Sequence, residues 1–552
     1  MTHPTRRDVA LLPLALGVVA AGRAEAQMSV PVENASLTEV QDALAKGATT
    51  ASALTRAYLA RIEAYDKAGP TLNSVREVNP DALAIAGKLD SVKPLAKQPL
   101  AGVPILVKDN IATGDKQHTT AGSLALESAH AKGDAPVIKR LRDAGAVILG
   151  KANLTEFANI LAMGMPSGYS SLGGQVKNPY VPALLGEHDI PVVQPGGSSA
   201  GSAVSVAAGL CAAAIGTETS GSLLSPATQN GLVTVKPTVG LISRSGIIPI
   251  SHSQDTAGPL TRTVRDSAIL LNVLAAPDPH DPATQHLQRP HDYTAGLDKD
   301  GLKGARIGVP NDPDDPLNDP YFGKLSQRSK DVMAEAIKVL QDLGAVIVHA
   351  AIPAIGWIGG PGTTMAVLNR NPLSSGKGNP GPSSVVFLYE LKHDLNLYLR
   401  DWAVGAKVKT MADIIAFNQA NPDRCLRFGQ DLFLASQQTR GDLAELEYKS
   451  ARAMDLMAAK ERGLDAYMSQ HKLDAVVFPG VAGAAIAAKP GYPSVQVPAG
   501  MISGVGDKDT PDYPLGLTFT GRAWSEHKLL RLAYAYEQAT NARKPPPGLP
   551  AL

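Results

Sequence analysis

The apolar residues of this chain fall into two patterns, and each predicts a different kind of element. Short unbroken runs recur at Val103-Pro104-Ile105-Leu106-Val107, Ala146-Val147-Ile148-Leu149, Cys211-Ala212-Ala213-Ala214-Ile215 and Ala475-Val476-Val477-Phe478. Runs of this kind suit strands buried on both faces of a sheet. Elsewhere apolar positions recur every three to four residues. Leu54, Tyr58, Leu59, Ile62 and Tyr65 share one face of a helix starting near Ser52, and helical patterns recur at 135–144, 386–399, 442–461 and 527–540. Ser36-Leu37-Thr38-Glu39 is a capping box that opens a helix toward Ala45, and Asn153-Leu154-Thr155-Glu156 reads as another. Residues 199–208 form a helix of small residues closed by Gly209. Ser225-Pro226 supplies an N-cap and a first-turn proline, which puts Ser222 on the turn before a helix. The alternation predicts an α/β fold: a single large domain with a mixed β-sheet core covered by helices on both faces. Residues 278–384 break the alternation with loop-forming stretches at 310–316, 359–362 and 374–384.

Composition narrows the function classes. Hydrophobic residues make up 44% of the 552 positions, enough for a large core, whereas aromatics at 5% offer little for stacking on bases or sugars. The first 26 residues read as an export signal of the twin-arginine type: Arg6-Arg7, an apolar run from Val9 to Gly22, and the small-x-small site Ala24-Glu25-Ala26 ahead of Gln27. That predicts a mature chain of 27–552 in the periplasm or outside the cell. The apolar run is too short for the ~20 residues of a membrane span, and no cysteine follows the cleavage site, so no membrane anchor is expected. Removing the segment takes away Arg6, Arg7 and Arg23 but only Asp8 and Glu25, so 52 basic and 51 acidic residues become equal at 49. A neutral surface gives no electrostatic case for nucleic acid. The two cysteines do not form a zinc-spaced cluster, and Cys211 reads as a small buried hydrophobe. No metal or organic cofactor is expected.

The candidate chemistry lies in two glycine- and serine-rich turns, Gly196 to Ser202 and Gly216 to Ser222, and in Lys108 at the end of an apolar run. A serine hydroxyl needs a base to attack a carbonyl. His118, His130, His188 and His252 sit in ordinary loop or helix contexts, and the residues around Ser222 do not form a Gly-x-Ser-x-Gly elbow. A neutral lysine can serve as base if its pKa falls by about three units, roughly 4 kcal/mol, and burial supplies such a shift. Taken singly, Lys108 would be an ion-paired surface residue, Ser222 a helix cap and Ser198 a turn former; their joint occurrence carries the argument. Glu218 reads as a carboxylate that orders the loop, and Asn178, Gln229 and Asn230 as turn-satisfying amides.

Three segments carry a family resemblance: Gly196-Gly197-Ser198-Ser199-Ala200-Gly201-Ser202, then Gly216-Thr217-Glu218-Thr219-Ser220-Gly221-Ser222, then Asn230 to Thr238. Together with Gly102 to Asn110, Gly491 to Gly500 and Pro514 to Leu517 they resemble the amidase signature family over about residues 36–540. Lys151 to Asn159, Ile247 to Pro259, Ile415 to Asn418 and Phe428 to Asp431 are most similar to its bacterial peptide amidases. The resemblance implies a Ser–cis-Ser–Lys triad. Ser222 is the nucleophile, Ser198 the bridging serine after a cis Gly197–Ser198 peptide, and Lys108 the base. Backbone N–H groups of Thr219, Ser220 and Gly221, with Ser222, form the implied oxyanion hole, and Ser199 is a supporting hydrogen-bonder. It also implies an acyl-enzyme and ammonia release from C-terminal peptide amides. The alternative is an aryl or alkyl amide, anilide or carbamate hydrolase with the same triad. One member of a transamidation complex, or a phosphate-binding module, are rival readings, disfavoured by the export signal and by the lack of a P-loop ending. The expected partner is a small-molecule or peptide amide, and the chain a monomer or simple homo-oligomer. Ser220, Leu224 and Ala200 depart from the usual family residues, and segments 181–193 and 356–384 read as loop-rich insertions able to alter the entrance.

Overall fold

The computed structural model describes residues 30–91, 98–311, 319–353, 356, 358–374, 376–506 and 508–552. The predicted export signal at 1–26 lies outside the described residues. Each continuous apolar run does form a strand. In chain order the strands are β1 (Val75–Val78), β2 (Pro104–Lys108), β3 (Val147–Ala152), β4 (Ala213–Glu218), β5 (Val233–Lys236), β6 (Thr256–Thr261), β7 (Arg306–Val309), β8 (Val346–His349), β9 (Ala475–Pro479), β10 (Ser494–Ile502) and β11 (Tyr513–Thr520). They make one eleven-stranded mixed sheet in the order β1-β3-β2-β4-β6-β5-β10-β11-β9-β7-β8. At its centre β2 runs parallel to both β3 and β4, with Ile105, Leu106 and Val107 opposite Ala213, Ala214 and Ile215, while β4 and β6 are antiparallel. Every residue of β2, β3 and β4 is buried. Each is therefore covered on both faces, as unbroken apolar runs require.

Helices flank the sheet. We label α1 (Leu37–Ala45), α2 (Ala51–Arg61), α3 (Ala200–Ala207), α4 (Leu224–Gln229), α5 (Val264–Leu274), α6 (Val385–Asp401) and α7 (Glu526–Thr540). Ser36 and Glu39 form the expected capping box on α1; Thr50, ahead of Ser52, caps α2. The small residues of α3 let it lie against β2 and β4, and a Cβ on Gly201 would stand 2.3 Å from the Ser74 carbonyl oxygen. Gly209 closes that helix at φ +70°. The tail past Lys544 is held by packing: Arg61 donates to the carbonyls of Leu549 and Pro550 as well as those of Ala208 and Gly209.

Three local expectations fail, for physical reasons. No capped helix follows Asn153. Instead Phe157 and Ala158 take left-handed conformations, because the buried Glu156 carboxylate turns inward to accept the Ser171 N–H at 2.7 Å. Helix α4 starts one residue before Ser225, so Ser225 lies inside its first turn rather than capping it. The loop-rich segment 356–384 contains an antiparallel pair, Thr364–Leu368 with Pro380–Ser384, whose second strand has no intrinsic strand preference and is held by its partner. A second apolar cluster, including Leu154, Phe157, Leu161, Leu388, Leu391, Leu395 and Phe433, packs α6 alongside the main core.

Candidate active site

Lys108 is the last residue of β2, and its side chain is fully buried. Its Nζ donates to Ser198 Oγ at 2.8 Å, to Thr217 Oγ1 at 2.9 Å and to the Thr217 carbonyl at 3.3 Å. Burial disfavours the ammonium and pulls its pKa down to about 7, against the opposing pull of Asp255 and Glu218. Lys151 and Lys236 are also buried, and burial lowers both to about 8. Lys236 donates only to the carbonyls of Pro237 and Tyr492, and Lys151 to the Ile111 carbonyl and the Thr119 hydroxyl. Of the three, only Lys108 faces a serine.

Ser198 follows a cis Gly197–Ser198 peptide, as expected, and is fully buried. Glycines at 196 and 197 let this turn press closely onto neighbouring backbone and side chains. A Cβ on Gly196 would stand 2.5 Å from Pro226 Cα, and one on Gly197 2.7 Å from Thr155 Oγ1. The contact with Pro226 in α4 draws the two serine turns together: the Ser199 N–H donates to the Ser222 carbonyl at 3.2 Å. Ser199 Oγ donates to the Thr217 carbonyl at 2.9 Å and accepts the Thr217 N–H at 3.2 Å, tying α3 to the end of β4. Asn230 donates to the carbonyls of Pro195 and Pro226, and Asn178 to those of Gln194 and Gln229, the structural role read for these amides.

Ser222 is 8% exposed, and its hydroxyl makes no hydrogen bond among the described residues. The chain Lys108–Ser198–Ser222 is thus closed by a hydrogen bond at its first link only. Glu218 does order the loop: its carboxylate accepts the N–H groups of Gly221 at 2.7 Å, Leu223 at 2.7 Å and Leu224 at 3.0 Å. This corrects one expected oxyanion donor. The Gly221 N–H is committed to a carboxylate and is not free for a substrate oxygen; Thr219, Ser220 and Ser222 keep N–H groups with no acceptor among the described residues. It also explains how α4 begins without a side-chain cap of its own.

Sequence reasoning passed over three residues at this site. Thr217 is the second partner of Lys108, and Asn110 donates to the same Thr217 hydroxyl at 3.0 Å. Asp255 accepts the Thr219 hydroxyl at 2.5 Å, and burial raises its pKa to about 6. All three lie inside segments already singled out, but nothing local distinguishes them from ordinary turn and strand residues.

A cavity of about 730 Å³ opens beside the site. Its wall is apolar at Ile247, Ile248, Ile250, Tyr398 and Trp402, and it meets the catalytic candidates at Thr217 and Thr219; Lys108, Ser198 and Ser222 are not among its lining residues. Among the described residues, none of 181–193 or 356–384 contributes to that lining. Among the described residues, one trio could ligate a metal: His252, His393 and Asp394, on the cavity wall. Both imidazoles bond the same Asp394 carboxylate, His252 Nδ1 at 2.9 Å and His393 Nδ1 at 2.8 Å, so the trio satisfies itself.

The Amidase family profile matches residues 53–358, more than half of the chain. The chain belongs to the amidase family. It is a hydrolase acting on amides, with the α/β fold of that family. It is 41% identical to the peptide amidase of Stenotrophomonas maltophilia, whose X-ray structure superposes with a TM-score of 0.79 over 94% of this chain and 99% of that one. A "Probable amidase" of Arabidopsis thaliana is 37% identical across 97% of this chain and 95% of its own length. A "Putative amidase" of Arthroderma benhamiae is 34% identical, covering 88% of this chain and 78% of that one. No described helix is long and apolar enough to cross a membrane.

Proposed function

We propose that this amidase works through a Ser222 acyl-enzyme with Lys108 as base and Ser198 as proton bridge, and that its substrates are C-terminal peptide amides. The observation that carries the mechanism is the buried Lys108 Nζ on Ser198 Oγ at 2.8 Å, with a pKa brought down to about 7. At neutral pH about half of such lysines are uncharged, against roughly one in 2,500 at the usual 10.4. Neutral Lys108 accepts the Ser198 proton while Ser198 takes that of Ser222, and Ser222 Oγ bonds to the amide carbon. The resulting oxyanion meets the free N–H groups of Thr219, Ser220 and Ser222; one such donor is worth about 3–4 kcal/mol in other acyl-transfer sites. As the tetrahedral adduct collapses, the C–N bond breaks and the Lys108 ammonium returns its proton through Ser198 to the leaving nitrogen. Water then enters by the same relay and releases the acid.

The substrate class is supported by the likeness to the Stenotrophomonas peptide amidase and by a cavity large enough for several residues of a peptide. Residues 1–26 are proposed to direct export, which would place the enzyme in the periplasm or outside the cell. The test is ammonia release by the 27–552 chain from peptide amides, with anilides and simple amides alongside and Ser222→Ala as control. Ser222-dependent release from peptide amides supports the reading; turnover of anilides alone would move the substrate class and keep the triad, and an active Ser222→Ala would refute the nucleophile.

A further inference from the structure

The loop that carries the free N–H groups is anchored unevenly. Its start is held at Thr217 by Lys108 and Ser199, and its end by Glu218 bonding Gly221, Leu223 and Leu224. Between these anchors Thr219 makes one side-chain bond, from Oγ1 to Asp255 Oδ1. Asp255 lies one residue ahead of β6, and its other oxygen, Oδ2, accepts the N–H groups of Ile250 and Ser251, each at 2.9 Å. The 250–255 turn is gripped in its own right by α6. Glu390, fully buried, accepts both Ser251 Oγ and Ser253 Oγ, and Asp394 accepts the His252 N–H at 2.8 Å. Glu390 and Asp394 stand four residues apart on α6 and so present one face of that helix to the turn. Tyr448, from beyond α6, fixes the other Glu390 oxygen at 2.7 Å.

We propose that Asp255 is a positioning residue, which holds the Thr219 N–H in line for the substrate oxyanion and transmits to it the rigidity of the turn clamped by α6. The proposal rests on the reading of 219–222 as the oxyanion hole. Asp255 makes no hydrogen bond to Lys108, Ser198 or Ser222, and its one side-chain hydrogen bond to the loop is the one to Thr219; its charge also holds the Lys108 pKa up, so kcat is compared on the plateau above that pKa. Oxyanion stabilisation depends on donors fixed in place before charge develops, and a donor on a loop is only as well placed as its restraint. Because Asp255 and Thr219 also line the cavity, a substrate filling it touches the turn that sets the donor. Binding and oxyanion geometry therefore share one structural element.

The test is steady-state kinetics on one peptide amide for Thr219→Val, Thr219→Ser, Asp255→Asn and Ser222→Ala. A peptide aldehyde, which forms a tetrahedral adduct with a serine nucleophile, is titrated against each of the first three. We expect Thr219→Val and Asp255→Asn to lower kcat about 10- to 100-fold with KM within about twofold, part of the ~10²–10³-fold worth of a whole donor. Thr219→Ser keeps the hydroxyl and should restore kcat to within about threefold of the parent, while aldehyde affinity falls in step with kcat across the series. Thermal melting separates this from unfolding, since Thr219→Val is nearly isosteric. Parental kcat in Thr219→Val, equal damage in Thr219→Ser, or an effect confined to KM would each overturn the proposal. Activity in Ser222→Ala would overturn it together with the nucleophile assignment, whereas a dead Ser222→Ala beside an unimpaired Thr219→Val would refute the positioning role alone.

Discussion

The pH dependence of turnover follows directly from where Lys108 sits. Burial at the end of β2 is the dominant influence on it, and the carboxylates of Asp255 and Glu218 oppose the shift, leaving the group near 7. From the ordinary lysine value of 10.5 this is a change worth about 5 kcal/mol at 1.36 kcal/mol per pH unit. Only the neutral amine accepts a proton, so kcat/KM should rise tenfold per pH unit below about 7 and level off above it. At pH 5 about one lysine in a hundred is neutral, which predicts a rate roughly a hundredfold below the plateau. The assay is product acid quantified by chromatography from pH 5 to 9 at low substrate, with circular dichroism to show that the fold persists. Lys108→Ala should lie about 10²- to 10⁴-fold lower at every pH, with no inflection near 7. A rate still climbing tenfold per unit between pH 8 and 9 would mean a lysine with an ordinary pKa, and a flat profile from 5 to 9 would remove it from the rate-limiting proton transfer. The linkage has a fixed sign. The folded state releases the Lys108 proton at a lower pH than the unfolded chain, so this group's burden on stability is full below about pH 7 and fades as pH rises toward 10.5.

Two further substitutions test the scaffold. Glu218→Gln turns a carboxylate that accepts three N–H groups into an amide whose own N–H₂ faces donors, and should cost about 1–3 kcal/mol in urea unfolding. Because the Glu218 charge holds the Lys108 pKa up, the same variant should move the acid limb of the pH profile to lower pH; a shift to higher pH would contradict that electrostatic assignment. Gly201→Ala would put a methyl group against the backbone carbonyls of Ser74 and Asn153, with no flexible side chain to yield, and should lose about 3 kcal/mol or fail to accumulate. A parental unfolding midpoint would show that α3 can move off the β1–β3 edge without penalty.

What this chain's sequence determined by itself is a set of parts whose properties are local. An unbroken apolar run ending in lysine, read together with two serine-rich turns, marks a lysine that burial can bring toward its neutral form. Glycines ahead of a serine permit a turn that can touch other backbone, so Ser198 and Ser222 could be picked out before any contact was known. The tertiary structure decided how those parts are used. Whether the Gly221 N–H is free depends on where the Glu218 carboxylate turns, and a carboxylate that caps three donors reads the same in sequence as one in solvent. The failed capping box at Asn153 has the same cause, since burial of Glu156 outweighed its local preference. Asp255 reaches Thr219 across 36 residues, and Glu390 reaches Ser251 across 139. Bonds over such separations exist only once the sheet has set its strand order and α6 has docked. They follow from which faces pack together, and no local pattern encodes that.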